Sequence, residues 1–313
     1  MEKTRREKFN RLTAMLIGIA VLIGALIVSS NVIRPKRFDH GSVWPQFLKE
    51  EKNSIDVMFF GTSRVYCDVM PAVIDQNTGL SSYVMAGGTQ TLPVTYYYVD
   101  EVLNTQHPDT IFVEISGIIY PHLTDSTRAN LDTMPFGKNR IMAAFTDAEK
   151  AYLPGIIIPV LNYHSRWKEL TAEDFRIGLF GYDRDPDKGY TLIEDVSPQS
   201  GKVHWNISED EADYDRNLES IIKINELCKK ENIKAVFCIF PSMATFNPDF
   251  ENRFKADLAA HEDLIFEDFN EYYSEMGIDE STDYKDAIHF NKSGAEKYSL
   301  WLSDCINTAR FAQ

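Results

Sequence analysis

The chain has 313 residues, 44% of them hydrophobic, with 32 Lys and Arg against 47 Asp and Glu, a formal net charge of −15. That is enough apolar material for one domain of about 250 residues or two smaller ones. So acidic a chain, with no basic stripe along its main body, excludes nucleic acid and anionic surfaces as partners of that body.

The N-terminus differs in kind from the rest. "MEKTRREKFNR" is basic, and residues 12–33 then run without a charge. About 20 apolar residues cross the hydrocarbon core of a bilayer as a helix, so this segment is long enough to span. Lys3, Arg5, Arg6, Lys8 and Arg11 precede it, against Arg34, Lys36 and Arg37 behind. The bias predicts a cytoplasmic tail at 1–11, a single-pass cell-membrane anchor at 12–33 and export of the remainder. A cleaved signal peptide is the rival reading. The length of the apolar run, and the poor small-x-small match in "VSSNVI", favour a retained anchor. Residues 34–51 read as a juxtamembrane linker and 52–313 as the extracytoplasmic domain. Residues 38–313 hold 24 basic and 45 acidic residues, so removing the anchor sharpens the acidity.

Five β-rich runs follow: "IDVMFFG" (55–61), "SYVMAG" (82–87), "TIFVEIS" (110–116), "IKAVFCIF" (233–240) and "LIFEDF" (264–269). Several are continuously apolar, as central parallel strands covered on both faces are. Helical segments lie between them, notably "TYYYVDEVLNTQ" and 210–232. The alternation predicts an α/β, doubly wound, mainly parallel five-stranded sheet in three layers. Residues 118–205 break the rhythm and read as an insertion near the C-terminal edge of the sheet, where such insertions shape clefts.

The chemistry-bearing residues fall at strand ends. The first strand runs into "GTSR", placing Ser63 and Arg64 at a strand-to-helix turn; small residues there are common in any fold. The second runs into "MAGGTQT", where Gly87 and Gly88 permit close backbone approach and exposed N–H groups, or simply a tight turn. In the insertion, "YHSRW" puts His164, Arg166 and Trp167 together, either as a cleft wall for glycan or phosphate or as a helix end packing on the domain. "YDRDPDKG" lacks the order of a cation loop and reads as a solvated loop. His107, His122, His204 and His261 have no zinc spacing. The four cysteines, Cys67, Cys228, Cys238 and Cys305, lack metal spacing too and read as mostly free thiols. Near the end, "DAIHFNKSG" (286–294) precedes a last helix that begins near Ser293. Asp286 can take the Nδ1–H of His289 and leave Nε2 as a general base, or it can merely close a helix-entry turn.

Taken together, "FFGTSR", "MAGGTQTL", "YHSRWKELTAEDF" and "DAIHFNKSGAEKY" resemble the SGNH/GDSL hydrolase superfamily over about residues 52–310. The narrower resemblance is to membrane-anchored, extracytoplasmic (DltD-like) SGNH-like proteins associated with membrane-bound O-acyltransferases. It implies Ser63 as nucleophile, His289 as base and Asp286 as its orienting acid. The amides of Ser63 and of Gly87 or Gly88 become oxyanion donors. Arg64, His164, Arg166 and Trp167 become candidate substrate contacts. The superfamily's Asn after the third strand has no counterpart here: "VEISGIIYPH" offers Glu114 and Ser116 instead. One donor typically counts for ~10²–10³ in rate.

The function so implied is a serine acyltransferase or esterase acting on O-acyl groups of a cell-envelope polysaccharide or teichoic-acid-like glycopolymer. It would need no metal or organic cofactor, would touch membrane lipid through its N-terminal helix, and would partner a membrane-bound O-acyltransferase. The competing expectation is a catalytically idle SGNH-like protein that binds glycan or holds such an acyltransferase. A secreted lipase is weaker, because of the anchor and the lack of a long apolar lid.

Overall fold

The computed structural model describes residues 2–36, 41–205 and 213–311, without the side chains of residues 2–5. The chain divides into two compact units, Met1–Lys36 with Ala151–Tyr182, and Arg37–Lys150 with Asp183–Gln313. In the first, a single helix covers Glu2–Ile33, and its stretch from Arg6 is long and apolar enough to cross a membrane. Short helical turns at Leu153–Ile157, Pro159–Tyr163 and His164–Lys168 and a helix at Ala172–Phe180 complete this unit. Thr171 caps the last of these with a full capping box to Asp174.

The second unit holds the sheet. Its five strands are β1 (Val57–Gly61), β2 (Ser82–Ala86), β3 (Thr110–Glu114), β4 (Lys234–Ile239) and β5 (Ile265–Asp268). All neighbours pair in parallel, in the order β2-β1-β3-β4-β5. The expected α/β class therefore stands, and each strand falls inside its apolar run. Every residue of β1 and β2 is buried, which explains why neither run alternates. Val57 and Phe59 face a core completed by Phe112, Val236, Phe240 and Tyr298, with Phe59 and Phe112 stacked at 5.2 Å. Helices Ser63–Asp68, Pro71–Thr78 and Lys292–Asn307 cover this face; Leu92–Val102 and Tyr214–Lys230 cover the other. The helix expected from 210 is described only from Tyr214; residues 210–212 lie outside the described residues.

Two boundaries differ from expectation. Residues 34–51 are not a free linker, although 37–40 lie outside the described residues. Trp44 and Phe47 are buried, Trp44 edge-on to Tyr98 at 5.0 Å and Phe47 to Tyr83 at 5.1 Å. Ser42 Oγ donates to Val84 O at 2.6 Å and accepts from Ala86 N–H, so this segment stitches onto β2. Nor is 118–205 one insertion. It stays with the sheet as far as Lys150, contributes 151–182 to the other unit, and returns from Asp183.

The strand order reverses around β1, which has β2 on one side and β3 on the other. In open α/β sheets a crevice forms at the C-terminal strand ends beside such a reversal. Ser63 stands there.

Candidate active site

β1 ends on Gly61, whose φ of +147° suits a residue without Cβ. An added Cβ would lie 2.8 Å from Val65 Cγ2 and 2.9 Å from Glu114 Cβ. The chain turns here into a six-residue helix, with Thr62 as N-cap accepting the Arg64 N–H at 3.3 Å. Ser63 is the first helical residue, so its N–H has no acceptor within the helix.

A buried carboxylate braces this turn from below. Glu114, the last residue of β3, accepts from Thr62 Oγ1 (3.3 Å), Arg64 Nη1 (3.2 Å), Ser116 N–H (3.0 Å) and Ser116 Oγ (2.9 Å). Arg64 also donates to the carbonyls of Phe240 and Pro241 and lies over the Trp205 ring. With 1% of its side chain exposed, Arg64 is a brace of the turn, which corrects its reading as a substrate contact. The sequence offers Arg64 as a cation beside a nucleophile; only the fold brings Glu114 beneath it.

His289 comes from a tight loop closed by a Tyr284–Phe290 bridge and by Lys285 N–H to His289 O at 3.0 Å. Asp286 Oδ1 accepts the N–H groups of Ile288 (2.9 Å) and His289 (3.0 Å), and the carboxylate meets His289 Nδ1 at 2.9 Å. A carboxylate can only accept, so Nδ1 carries the proton and Nε2 is left as acceptor. Nε2 lies 2.7 Å from Ser63 Oγ. Burial pushes the Asp286 carboxyl up, but the hydrogen bond and charge of His289, with the two loop N–H groups, outweigh it. The carboxyl ends below the usual range.

Two further residues fix the loop. Asp68, at the end of the Ser63 helix, accepts the Phe290 N–H at 2.8 Å. Asn291 caps the last helix, accepting from Ser293 N–H (3.0 Å) and Gly294 N–H (3.3 Å). Neither Asp68 nor Asn291 stands out in the sequence, since both are ordinary helix-end residues there.

Of the paired glycines, Gly87 is not a free donor: its N–H is bonded to Gly61 O at 3.3 Å, tying the ends of β1 and β2. Its missing Cβ makes room for Asn130, which would otherwise lie 2.2 Å away and whose Nδ2 donates to Gly88 O. Gly88 N–H has no acceptor among the described residues and lines the same cleft as Ser63. Thr89 follows in a left-handed conformation (φ +43°), a strained geometry of the kind that gathers at functional sites.

The cleft, of about 720 Å³, is walled by Tyr66, Tyr120, Ile288 and residues 191–195, with Lys285 at its edge. Cys67 lines it too, but burial pushes its thiol up, so it stays protonated and is no rival nucleophile. A smaller concavity of about 200 Å³ lies at the opposite strand ends, beside Asp56, Asp109 and Lys234; Cys305 also lines it, and burial pushes that thiol up to about 11, so it stays protonated. Among the described residues no group of His, Cys, Asp and Glu could hold a metal ion. All four cysteines are buried and free.

The structure thus brings Ser63, Asp286, His289 and Gly88 into one place. His164, Arg166 and Trp167 belong to the other unit. There Arg166 donates to Ile33 O at 2.5 Å and to Asp174 at 3.0 Å, His164 Nδ1 is 3.0 Å from Leu161 O, and Trp167 is exposed.

No protein-family model matches the chain, and no curated protein matches it at a significant level. Among solved structures it is similar to a Bacteroides fragilis protein described as an acylhydrolase, at 13% identity and a TM-score of 0.40, over 86% of this chain and 99% of that one. It is also similar to a GDSL-like lipase from Bacteroides thetaiotaomicron, at 13% identity and 0.40, over 82% and 89% of the two chains. A lipolytic protein of the G-D-S-L family from Desulfitobacterium hafniense gives 11% identity and 0.37, over 80% and 99%. Values of this order leave the chemistry of the site to its own geometry.

Proposed function

We propose that this chain is a membrane-anchored serine acyltransferase or esterase of SGNH type that acts on O-acyl groups of a cell-envelope glycopolymer. What carries the reading is the continuous chain of contacts from Ser63 Oγ through His289 to Asp286 at the open end of a central strand. A nucleophile needs a base within about 2.6–3.2 Å and a third group to orient that base. Ser63 and His289 line one cleft, and Asp286 bonds the other ring nitrogen of the histidine.

In the first step Ser63 Oγ attacks the acyl carbonyl carbon while its proton passes to His289 Nε2. Asp286 stabilises the imidazolium so formed. The N–H groups of Ser63 and Gly88 are the donors available to the tetrahedral oxyanion. The C–O bond to the leaving alcohol then breaks, and His289 returns the proton to that oxygen. The acyl-serine passes in turn to a sugar or polyol hydroxyl, or to water, with His289 again taking the proton. The apolar helix would hold this cleft near acyl donors in or at the membrane, raising their effective concentration.

Gly87 withholds its N–H, and no Asn stands in residues 113–122, where β3 ends. These two observations favour the idle glycan-binding or assembly reading as the alternative. A serine-directed fluorophosphonate probe on the purified full chain separates the two. Labelling is expected in the wild type, absent in Ser63→Ala and His289→Ala, and slowed by about 10⁴ in Asp286→Asn, which keeps an oxygen for the loop N–H groups. An unlabelled wild type that still binds glycan would establish the idle reading. With an acyl ester donor, acylated polyol as product marks a transferase and free acid alone marks an esterase.

A further inference from the structure

The unit containing the apolar helix is built around one end of it. From Arg6 to Ser29 every residue is exposed; burial begins at Ser30 and continues at Val32 and Ile33. Helix Ala172–Phe180 causes this, laying Gly178 so close to Val32 that a Cβ there would fall 2.7 Å from Val32 Cα. The last carbonyls of the apolar helix are also occupied. Lys36 Nζ donates to Asn31 O (2.6 Å) and Val32 O (3.1 Å), and Arg166 to Ile33 O (2.5 Å). Asp174 holds Arg166 at 3.0 Å and stands 3.9 Å from Lys36. Two cations at a helix C-terminus satisfy orphan carbonyls and suit its dipole.

The same segment carries its large apolar side chains outward. Asp174 and Ile177 face in, while Phe175, Leu179 and Phe180 face out, Phe180 with 81% of its surface exposed. Leu161 and Trp167 are exposed as well, and Lys168 Nζ sits 5.5 Å from the Trp167 ring. Water does not select such a face on a nine-residue helix.

We propose that residues 153–180 form a collar lying in the bilayer interface, with Leu161, Trp167, Phe175, Leu179 and Phe180 entering the headgroup–acyl boundary. The inference rests on the membrane-spanning reading of the N-terminal helix. Dimensions choose lipid as the occupant. The uncovered apolar stretch from Leu12 to Ser29 is about 27 Å long as a helix, against about 30 Å of hydrocarbon core. A collar that starts at Ser30 therefore falls at the membrane surface, the depth at which Trp and flanking Lys or Arg are enriched. Its place at the helix exit fixes how far the helix can slide through the bilayer.

The test uses the full chain in phospholipid nanodiscs, with nitroxide labels on Phe175→Cys, Leu179→Cys and Phe180→Cys, one at a time. The native thiols are buried, so the introduced cysteine reacts first. Collision with oxygen and with a water-soluble nickel chelate reports depth; Ala20→Cys marks the membrane interior and Asp215→Cys, on the sheet unit with 95% of its side chain exposed, the aqueous control. At 175, 179 and 180 oxygen collisions are expected to exceed nickel collisions several-fold, at a depth shallower than 20. If 20 is in lipid while the three are as open to nickel as 215, or shielded from both reagents by protein, the collar is refuted and the anchor survives. If 20 itself meets nickel, the spanning reading falls and the collar with it.

Discussion

Glu114→Gln tests whether the buried ion pair beneath Ser63 holds the nucleophile turn. Arg64 has 1% of its side chain exposed and Glu114 none, and the guanidinium is left with two backbone carbonyls once the carboxylate is gone. An amide in place of the carboxylate also turns a donor toward a donor. Removing one partner of a buried pair costs about 3–5 kcal/mol, because the other charge stays buried and unpaired. At about 2–4 °C per kcal/mol for a domain of this size, the melting temperature should drop by roughly 6–20 °C. Thermal unfolding of the detergent-purified chain, followed by circular dichroism, reads this directly. The double variant Arg64→Met, Glu114→Met buries no charge and should recover most of the loss, though Thr62 and Ser116 still lack their acceptor. Labelling at Ser63 should slow in the single variant, since Thr62 bonds both Glu114 and the Arg64 N–H. A single variant within about 1 kcal/mol of wild type, or a double variant no better than it, would refute this account of the turn.

Gly61→Ala should cost about 1–3 kcal/mol from overpacking against Val65 and Glu114, and serine labelling should fall by more than the loss of folded protein explains. Gly79→Ala, at φ +74° with nothing within 4 Å, carries only the backbone cost and should leave labelling unchanged, as denaturant titration with the probe assay would show. Asp68→Asn should flatten the pH dependence of stability. Burial raises the Asp68 carboxyl well above its ordinary value, against the pull of Arg64 and the Phe290 N–H. The folded state therefore holds this proton more tightly, and the stability it brings is fully present below the unfolded value near pH 4 and lost as pH rises through the folded one. Asn keeps an acceptor for Phe290 and never ionises, so the variant should gain on wild type between pH 5 and pH 8 in melting temperature. An equal difference at both pH values would sink this.

The sheet was legible because its strands are apolar on both faces, which marks them whatever lies around them. Ser63, Asp286 and His289 were legible for a different reason: each sits in a short segment whose local shape is set by its own neighbours. Asp286 bonds N–H groups two and three residues on, so four consecutive residues suffice to orient the ring. Residues whose state depends on distant partners were misread. Arg64 looks like a free cation until Glu114, 50 residues away, neutralises it. Gly87 looks like an open donor until Gly61 is beside it. Trp44 and Phe47 fall in a segment without periodicity, and only Tyr98 and Tyr83 show that they are core. Asn217, whose Nδ2 bonds the carbonyls of Ile118 and Tyr120 and so sets one wall of the cleft, gives no sign of this on a helix.

Ser63 and His289 stand 226 positions apart, and Asp68 reaches 222 positions to fasten the histidine loop. A chain emerges N-terminus first, and a domain folds as a unit. The serine turn and the first three strands are therefore synthesised long before His289 can face them. Until position 290 has docked, the hydroxyl is as inert as any other alcohol. On the proposed function, the nascent chain thus passes acyl esters without attacking them and becomes reactive in a single late event: a safety catch supplied by the order of the chain.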